Sequence, residues 1–213
     1  MRLPGEVIPS PFLLLFTLSA RFNIGYHMSD HHLILGKTVD FITGAVIDDT
    51  NDERYRQKIA RLLVETKGYL KSDIIPDVKL PFSIDGNNAE VRIDFVVRVD
   101  EKTIMIIRYA PGSLVTRERP SVAAARLLES CQIPVTVVTN GRDAQIMDTC
   151  SGNVVGHGLD AIPSKKEASA IIDKKEFQSI PAKQAEKEAR ILYVFDVVGS
   201  CTWNLGRRTG KDV

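Results

Sequence analysis

The stretch of residues 94–109 limits the fold more than any other part of the chain, because it contains two apolar runs joined by a short polar turn. The first run follows Asp94, the turn is formed by residues 100–102, and the second run extends from Thr103 to Tyr109. Consecutive residues of the second run are apolar, so a strand formed here must be buried on both faces. The pattern therefore predicts two neighbouring strands, the second of them in the centre of a sheet.

Flanking segments complete an alternating order of helices and strands. An acidic turn with Thr50 or Asn51 as the cap, then apolar residues at helical spacing, predicts a helix that ends at Gly68. Further patterns predict strands at 78–84, 91–97, 135–139 and 145–148, and helices at 121–130 and 183–198. This order predicts an α/β fold with a mixed central sheet flanked by helices. The Lys/Glu-rich first half of the last helix is expected to face solvent.

The charge balance excludes a chain that is basic throughout. Lys and Arg number 28 against 27 Asp and Glu, so nucleic acid would have to be held by a local patch. Three widely spaced cysteines indicate reduced thiols and a cytoplasmic protein. The apolar run 12–20 is far shorter than the roughly 20 residues that cross a membrane, so no membrane partner is expected.

The organisation predicted from these patterns has three parts. Residues 1–27 resemble nothing that follows and are interpreted as a disordered leader or as a mis-assigned start, with Met28 as the natural first residue. Residues 28–160 form the domain. Residues 161–213 are a peripheral segment with a C-terminal helix and a disordered tail after Arg207. The oligomeric state is left open.

Four short stretches of the chain follow one another in the order of a known family: residues 52–69, 92–97, 110–112 and 138–141. With them, the chain resembles the PD-(D/E)xK nuclease superfamily, and more closely the N-terminal domain of type I restriction enzyme R proteins. The resemblance covers about residues 50–150. It implies a restriction-endonuclease-like core and a site at which a divalent metal, usually magnesium, activates water to attack a phosphodiester bond.

Carried over to this chain, the resemblance places the metal acid at Asp94 and an accessory acid at Glu53. The family's Glu-x-Lys falls on Ile107 and Tyr109, which provide neither a metal ligand nor an ammonium group. Arg108 lies between them and, because side chains alternate along a strand, points to the opposite face. The motif is therefore degenerate, and the metal site at Asp94 is expected to be weak or lost.

Each acid also has a structural interpretation. Asp94 could cap a strand or pair with Arg54 or Arg56, and Glu53 suits the first turn of a helix. An active site with migrated acids would draw on nearby carboxylates, namely Asp100, Glu101 or Glu118.

A locally basic strip suggests another role. Arg108, Arg117 and Arg119, with Arg126 nearby, are candidates for contacts with nucleic-acid phosphates, although solvated loop charge also explains them. Three hypotheses follow: a nuclease-derived, catalytically inactive protein that binds DNA or a partner protein; an active magnesium-dependent DNA endonuclease with migrated catalytic residues; or an assembly protein without a nucleic-acid role. No cofactor is expected except magnesium in the second case.

Overall fold

The apolar run that ends at Tyr109 forms a central strand of the sheet, as its sequence predicts. The computed structural model describes residues 33–174 and 177–198, so the leader, the C-terminal tail and the proposed start at Met28 lie outside the described residues. Six strands form one sheet in the order β3-β4-β5-β6-β7-β8. Their bounds are Ile74–Ile84 (β3), Asn87–Val99 (β4), Lys102–Tyr109 (β5), Val135–Thr139 (β6), Ala144–Asp148 (β7) and Val154–His157 (β8). Only β5 and β6 run parallel, so the predicted mixed sheet is confirmed.

Helices cover the sheet, and a small hairpin precedes them. The hairpin strands are Gly36–Val39 (β1) and Val46–Asp49 (β2), and the helices are Asn51–Arg61 (α1), Val115–Leu127 (α2), Lys165–Lys174 (α3) and Ala182–Leu192 (α4). Single π-helical turns extend α1 through Leu62–Thr66 and α4 through Tyr193–Val198. Short 3₁₀ turns occur at Lys71–Asp73 and Leu159–Ala161.

Both faces of β5 are buried, as its apolar sequence requires. Ile107 packs with Ile59 and Phe95 in the apolar cluster beneath α1. Its neighbour Ile106 packs with Leu192 in the cluster beneath α2 and α4. One strand therefore supplies side chains to two cores, and this explains why β5 has consecutive apolar residues rather than an alternating pattern.

The structure differs from the sequence-based elements in four places. The hairpin β1–β2 and the edge strand β8 were not predicted, because strands of four residues give too little periodic pattern. Helix α3 was not predicted either, because the Ser, Lys, Glu and Ala composition of this region was interpreted as a peripheral segment. Helix α2 begins at Val115, six residues before the predicted start at Ser121, and contains Pro120. A proline normally marks the first turn of a helix, so its presence inside α2 hid the earlier start.

The C-terminal helix is more deeply embedded than its composition suggested. Leu192 is fully buried, and Glu188, although it lies in the Lys/Glu-rich half, is also buried. One carboxylate oxygen of Glu188 lies 2.6 Å from Arg119, and the other lies 2.7 Å from Arg126. The prediction of a solvated first half is therefore wrong at Glu188, because the two guanidinium groups of α2 compensate the buried charge.

We expect substitution of Glu188 by Ala to destabilise the fold by about 3 kcal/mol, because it leaves the buried Arg126 guanidinium without its carboxylate. Urea unfolding measures the change. Glu186→Ala is the matched control, since Glu186 lies on the same helix but is exposed and pairs only with exposed Arg190; it should stay within about 0.5 kcal/mol of wild type. Equal losses in both variants would contradict the role of the buried cluster.

The same cluster predicts an acid-sensitive fold. Burial by itself raises the pKa of Glu188, but the hydrogen bonds from Arg119 and Arg126 lower it below its ordinary value of 4.5. A lowered folded-state pKa gives stability that is present above the unfolded value and lost as the pH falls through the folded value. Stability measured between pH 6 and pH 3 should therefore fall less steeply for Glu188→Gln than for wild type.

Candidate functional site

Asp94 lies where the ladder between β4 and β5 stops. Phe95 of β4 and Ile107 of β5 are the last pair of residues in this ladder. Asp94 precedes Phe95 and contacts the end of β5 through its side chain. One carboxylate oxygen accepts a hydrogen bond of 2.7 Å from the backbone N–H of Tyr109. Asp94 is buried, so this carboxylate completes the hydrogen bonding of the strand end.

The second partner of Asp94 comes from helix α1. Thr50 caps the helix by accepting a hydrogen bond from the backbone N–H of Glu53. Arg56 follows Glu53 by three residues and therefore lies on the same face of α1 as Glu53. The guanidinium of Arg56 is 2.6 Å from Asp94 and 3.4 Å from Glu53. Of the two ion pairs foreseen for Asp94, the one with Arg56 forms, whereas Arg54 pairs with Asp49.

Arg56 is a permanent cation at this place. Burial by itself lowers its pKa, but the charges of Asp94 and Glu53 outweigh burial and raise the pKa above its ordinary value. The guanidinium therefore bridges the two carboxylates that the resemblance assigned to a metal.

Tyr109 occupies the position expected for lysine and behaves as a neutral hydrogen-bond donor. Its hydroxyl donates to Asp52 over 3.0 Å, while burial, followed by the charge of Asp52, raises the pKa of the phenol. Its ring stacks on Tyr55 at 5.9 Å between centroids and lies 5.3 Å from the Arg56 guanidinium. The Tyr55 ring in turn packs against Gly141, whose positive φ of 80° and missing side chain provide the necessary space.

Ile107, at the position expected for glutamate, contributes no polar atom. Its side chain is fully buried in the apolar cluster beneath α1. As predicted, Ile107 and Arg108 face opposite sides of the sheet. Ile107 packs beneath α1, whereas Arg108 contacts Asp196 of the turn after α4.

An open cleft of about 590 Å³ lies beside the Arg56–Asp94 pair and extends to the hairpin β1–β2. Two of its lining residues, Asp40 and Glu53, each accept a hydrogen bond of 2.8 Å from the side-chain amide of Gln57. Burial raises the pKa of Asp40, but hydrogen bonds from Thr43 and Gln57 more than compensate and lower it. Sequence reasoning missed Asp40, Asp52 and Gln57; Gln57, one helical turn after Glu53, was the available signal.

These residues do not fit a magnesium ion. Magnesium requires close to six oxygen ligands in octahedral geometry, whereas Asp94 and Glu53 both contact the Arg56 guanidinium. Within residues 33–174 and 177–198, no group of three or more His, Cys, Asp or Glu side chains is arranged to hold a metal. A cation would have to displace Arg56 from two short contacts.

The carboxylates considered as migrated acids lie elsewhere. Asp100 and Glu101 occupy the turn between β4 and β5, six residues along the strand from Asp94 and thus roughly 20 Å away. Glu118 is half-buried on α2, on the other side of the sheet. The structure does not bring these acids to Asp94.

The three arginines of the predicted basic strip lie together, and each meets an acid of the C-terminal helical segment. Arg108 and Arg117 contact Asp196 at 2.8 Å and 3.3 Å. Arg119 contacts Glu188. Arg117 and Arg119 remain about half exposed, with 45% of each side chain accessible, so their outer faces are available to a ligand.

The fold and the site thus define a mixed α/β domain with an acid at the end of a central strand and a helix-borne arginine across it. A family model described as type I restriction enzyme R protein N terminus matches residues 51–163. This match spans more than half of the 213 residues, and the chain belongs to that family. Searches of curated proteins and of solved structures gave no match. In the part of the chain that the structure describes, no helix has the length and apolar character needed to cross a membrane.

We expect Arg56→Ala to destabilise the fold by about 3 kcal/mol, because it leaves the buried Asp94 carboxylate without its charge partner. Thermal or urea unfolding measures the change. Arg54→Ala is the matched control, since it removes an arginine from the same helix whose pair with Asp49 is exposed; its effect should be clearly smaller than that of Arg56→Ala. A small effect of Arg56→Ala would show that the bridge does not support the strand end.

Proposed function

We propose that this chain is a nuclease-derived protein that binds nucleic acid without cutting it. The observation that supports this proposal most directly is the Arg56 guanidinium, which bridges Asp94 and Glu53. In an active metal-dependent nuclease the corresponding carboxylates must be free to bind a cation that activates water. Here the Arg56 guanidinium already pairs with both of them.

The neighbouring positions support the loss of cleavage. Ile107 adds apolar surface where a ligand is needed. Tyr109 offers a phenol whose pKa is raised and which is already engaged with Asp52, so it cannot supply a positive charge to a developing transition state. A phosphodiester placed here would meet no activated water and no lysine.

Binding of nucleic acid is supported by the arginines around the same strand end. Arg56, Arg92 and Arg108 line a shallow cleft of about 250 Å³ beside Tyr109, and Arg117 and Arg119 lie on the adjoining surface. Arginine forms paired hydrogen bonds with phosphate oxygens. Because the chain is nearly neutral overall, we infer that binding depends on this local group and is strongly reduced by salt.

A role in protein assembly is the second candidate. Val194, Phe195 and Val198 in the turn after α4 are each about half exposed, and apolar side chains in such a position suit a protein partner. A stable complex with a protein and no DNA binding would favour this role. Cys131 and Cys150 are free thiols, which supports a reducing, cytoplasmic location under either proposal.

The cleavage half of the proposal predicts that the full chain cuts neither single- nor double-stranded DNA in the presence of magnesium or manganese. Gel electrophoresis of labelled DNA measures the reaction, with Asp94→Asn as the control for a contaminating nuclease. Cleavage by wild type that disappears in Asp94→Asn would contradict the proposal and favour an active endonuclease.

The binding half predicts a DNA affinity that falls steeply with salt. Replacing Arg117 and Arg119 together by Gln should reduce the slope of log K against log salt by about 1 to 2, because each removes about one phosphate contact. Arg61→Gln is the control, since Arg61 is an exposed helix residue that pairs with Glu65. Fluorescence anisotropy at several salt concentrations measures both. An unchanged slope in the double variant would place the contact elsewhere.

A further inference from the structure

Two carboxylates of the C-terminal helical segment are each held between two arginines. Asp196 lies 2.8 Å from Arg108 and 3.3 Å from Arg117, and Glu188 lies between Arg119 and Arg126. A carboxylate between guanidinium groups uses the same donors that would bind a phosphate group. The C-terminal segment therefore occupies an anion-binding surface with its own acids.

The Glu188 end is built as an anchor. Arg126 is buried and also donates hydrogen bonds to the backbone carbonyls of Thr149 and Cys150. On the same helix, Leu192 is fully buried in the cluster beneath α2 and α4. Removing this end from the sheet would expose apolar surface and unpair a buried arginine, which is energetically costly.

The Asp196 end has fewer buried apolar side chains than the Glu188 end, while the Asp196 carboxylate itself is nearly buried, with 7% of its side chain accessible. It belongs to the single π-helical turn Tyr193–Val198, in which Val197 packs against the core while Val194, Phe195 and Val198 are about half exposed. A terminal turn with few buried apolar side chains opens at lower free energy than the helix that precedes it. The turn can therefore move while α4 stays in place.

Movement of this turn would change the charge of the neighbouring cleft. The cleft is lined by three arginines, namely Arg56, Arg92 and Arg108. It is also lined by three acids, namely Glu90, Asp94 and Asp196. With Asp196 in place the formal charges cancel. Without it, the cleft has an excess of one positive charge, and both Arg108 and Arg117 lose the acid that they share.

We propose that the turn Tyr193–Val198 is a latch whose Asp196 covers a phosphodiester-binding surface centred on Arg108 and Arg117. A nucleic-acid phosphate competes with the carboxylate for the two guanidinium groups, and the turn lifts when the phosphate binds. This inference rests on the proposed function for the identity of the ligand. It adds that the resting protein is held in a low-affinity state by its own C-terminal segment, which lies beyond the residues matched by the family model.

The test is to measure the affinity of the full-length Asp196→Asn protein for labelled single- and double-stranded DNA by fluorescence anisotropy. Asparagine keeps the size of the side chain but removes the charge, so we expect binding about fivefold tighter than wild type, with a steeper salt dependence because two arginines are freed. Glu186→Gln is the matched control: it removes one negative charge from α4, where Glu186 pairs with Arg190 only. That control should leave the affinity close to wild type.

A further variant ties the gain to the arginines. Adding Arg108→Gln to Asp196→Asn should return the affinity to the wild-type value or below it. Equal gains in Asp196→Asn and Glu186→Gln would overturn the latch, because net charge alone would then explain the effect. An unchanged or weaker affinity in Asp196→Asn, or a gain that survives Arg108→Gln, would also overturn it.

Hydrogen exchange on the wild-type protein gives a measurement that does not depend on the folding of a variant. Amides of residues 193–198 should exchange faster when DNA is added, while those of residues 186–192 should not. Slower exchange in the turn would overturn the latch. If wild type binds DNA but the turn does not respond, only the latch fails; if no protein binds DNA, the latch and the binding half of the proposed function fail together. The affinities are measured in EDTA, which removes the divalent metal that cleavage would need. Cleavage by wild type in magnesium would therefore contradict the proposed function and leave the test of the latch unaffected.

Discussion

The hydrogen-bonded ion pair between Arg56 and Asp94 is the contact on which the strand end and the site both depend. Asp94 is buried at the point where β4 and β5 part, and its two oxygens accept hydrogen bonds from Arg56 and from the Tyr109 backbone. The same pair fixes α1 against the sheet. Breaking it would leave a buried carboxylate without its charge partner, which is costly.

Packing of β5 against α1 supports this pair. Tyr109 adds a ring between Tyr55 and Arg56, and Ile107 extends the apolar cluster beneath α1. The site is therefore stabilised by packing and by an internal guanidinium, and its acids are part of the structure.

On the opposite face of the sheet, which α2 and α4 cover, buried carboxylates also pair with arginines. Asp196 and Glu188 each lie between two arginines, so about half of the positive charge of these arginines is balanced by the two acids. This balance explains how a nearly neutral protein can hold several arginines close together.

Sequence alone determined the strands β3 to β7 in chain order, the buried nature of β5 and the opposite facing of Ile107 and Arg108, because these depend on local periodicity and on alternation along a strand. It could not decide between Arg54 and Arg56 as the partner of Asp94, and it did not foresee the acids that meet Arg108, Arg117 and Arg119. Those contacts join residues 38 to 88 positions apart. Only tertiary structure decides them, because the packing of α1 and α4 on the sheet, and not sequence spacing, sets which charges come within reach.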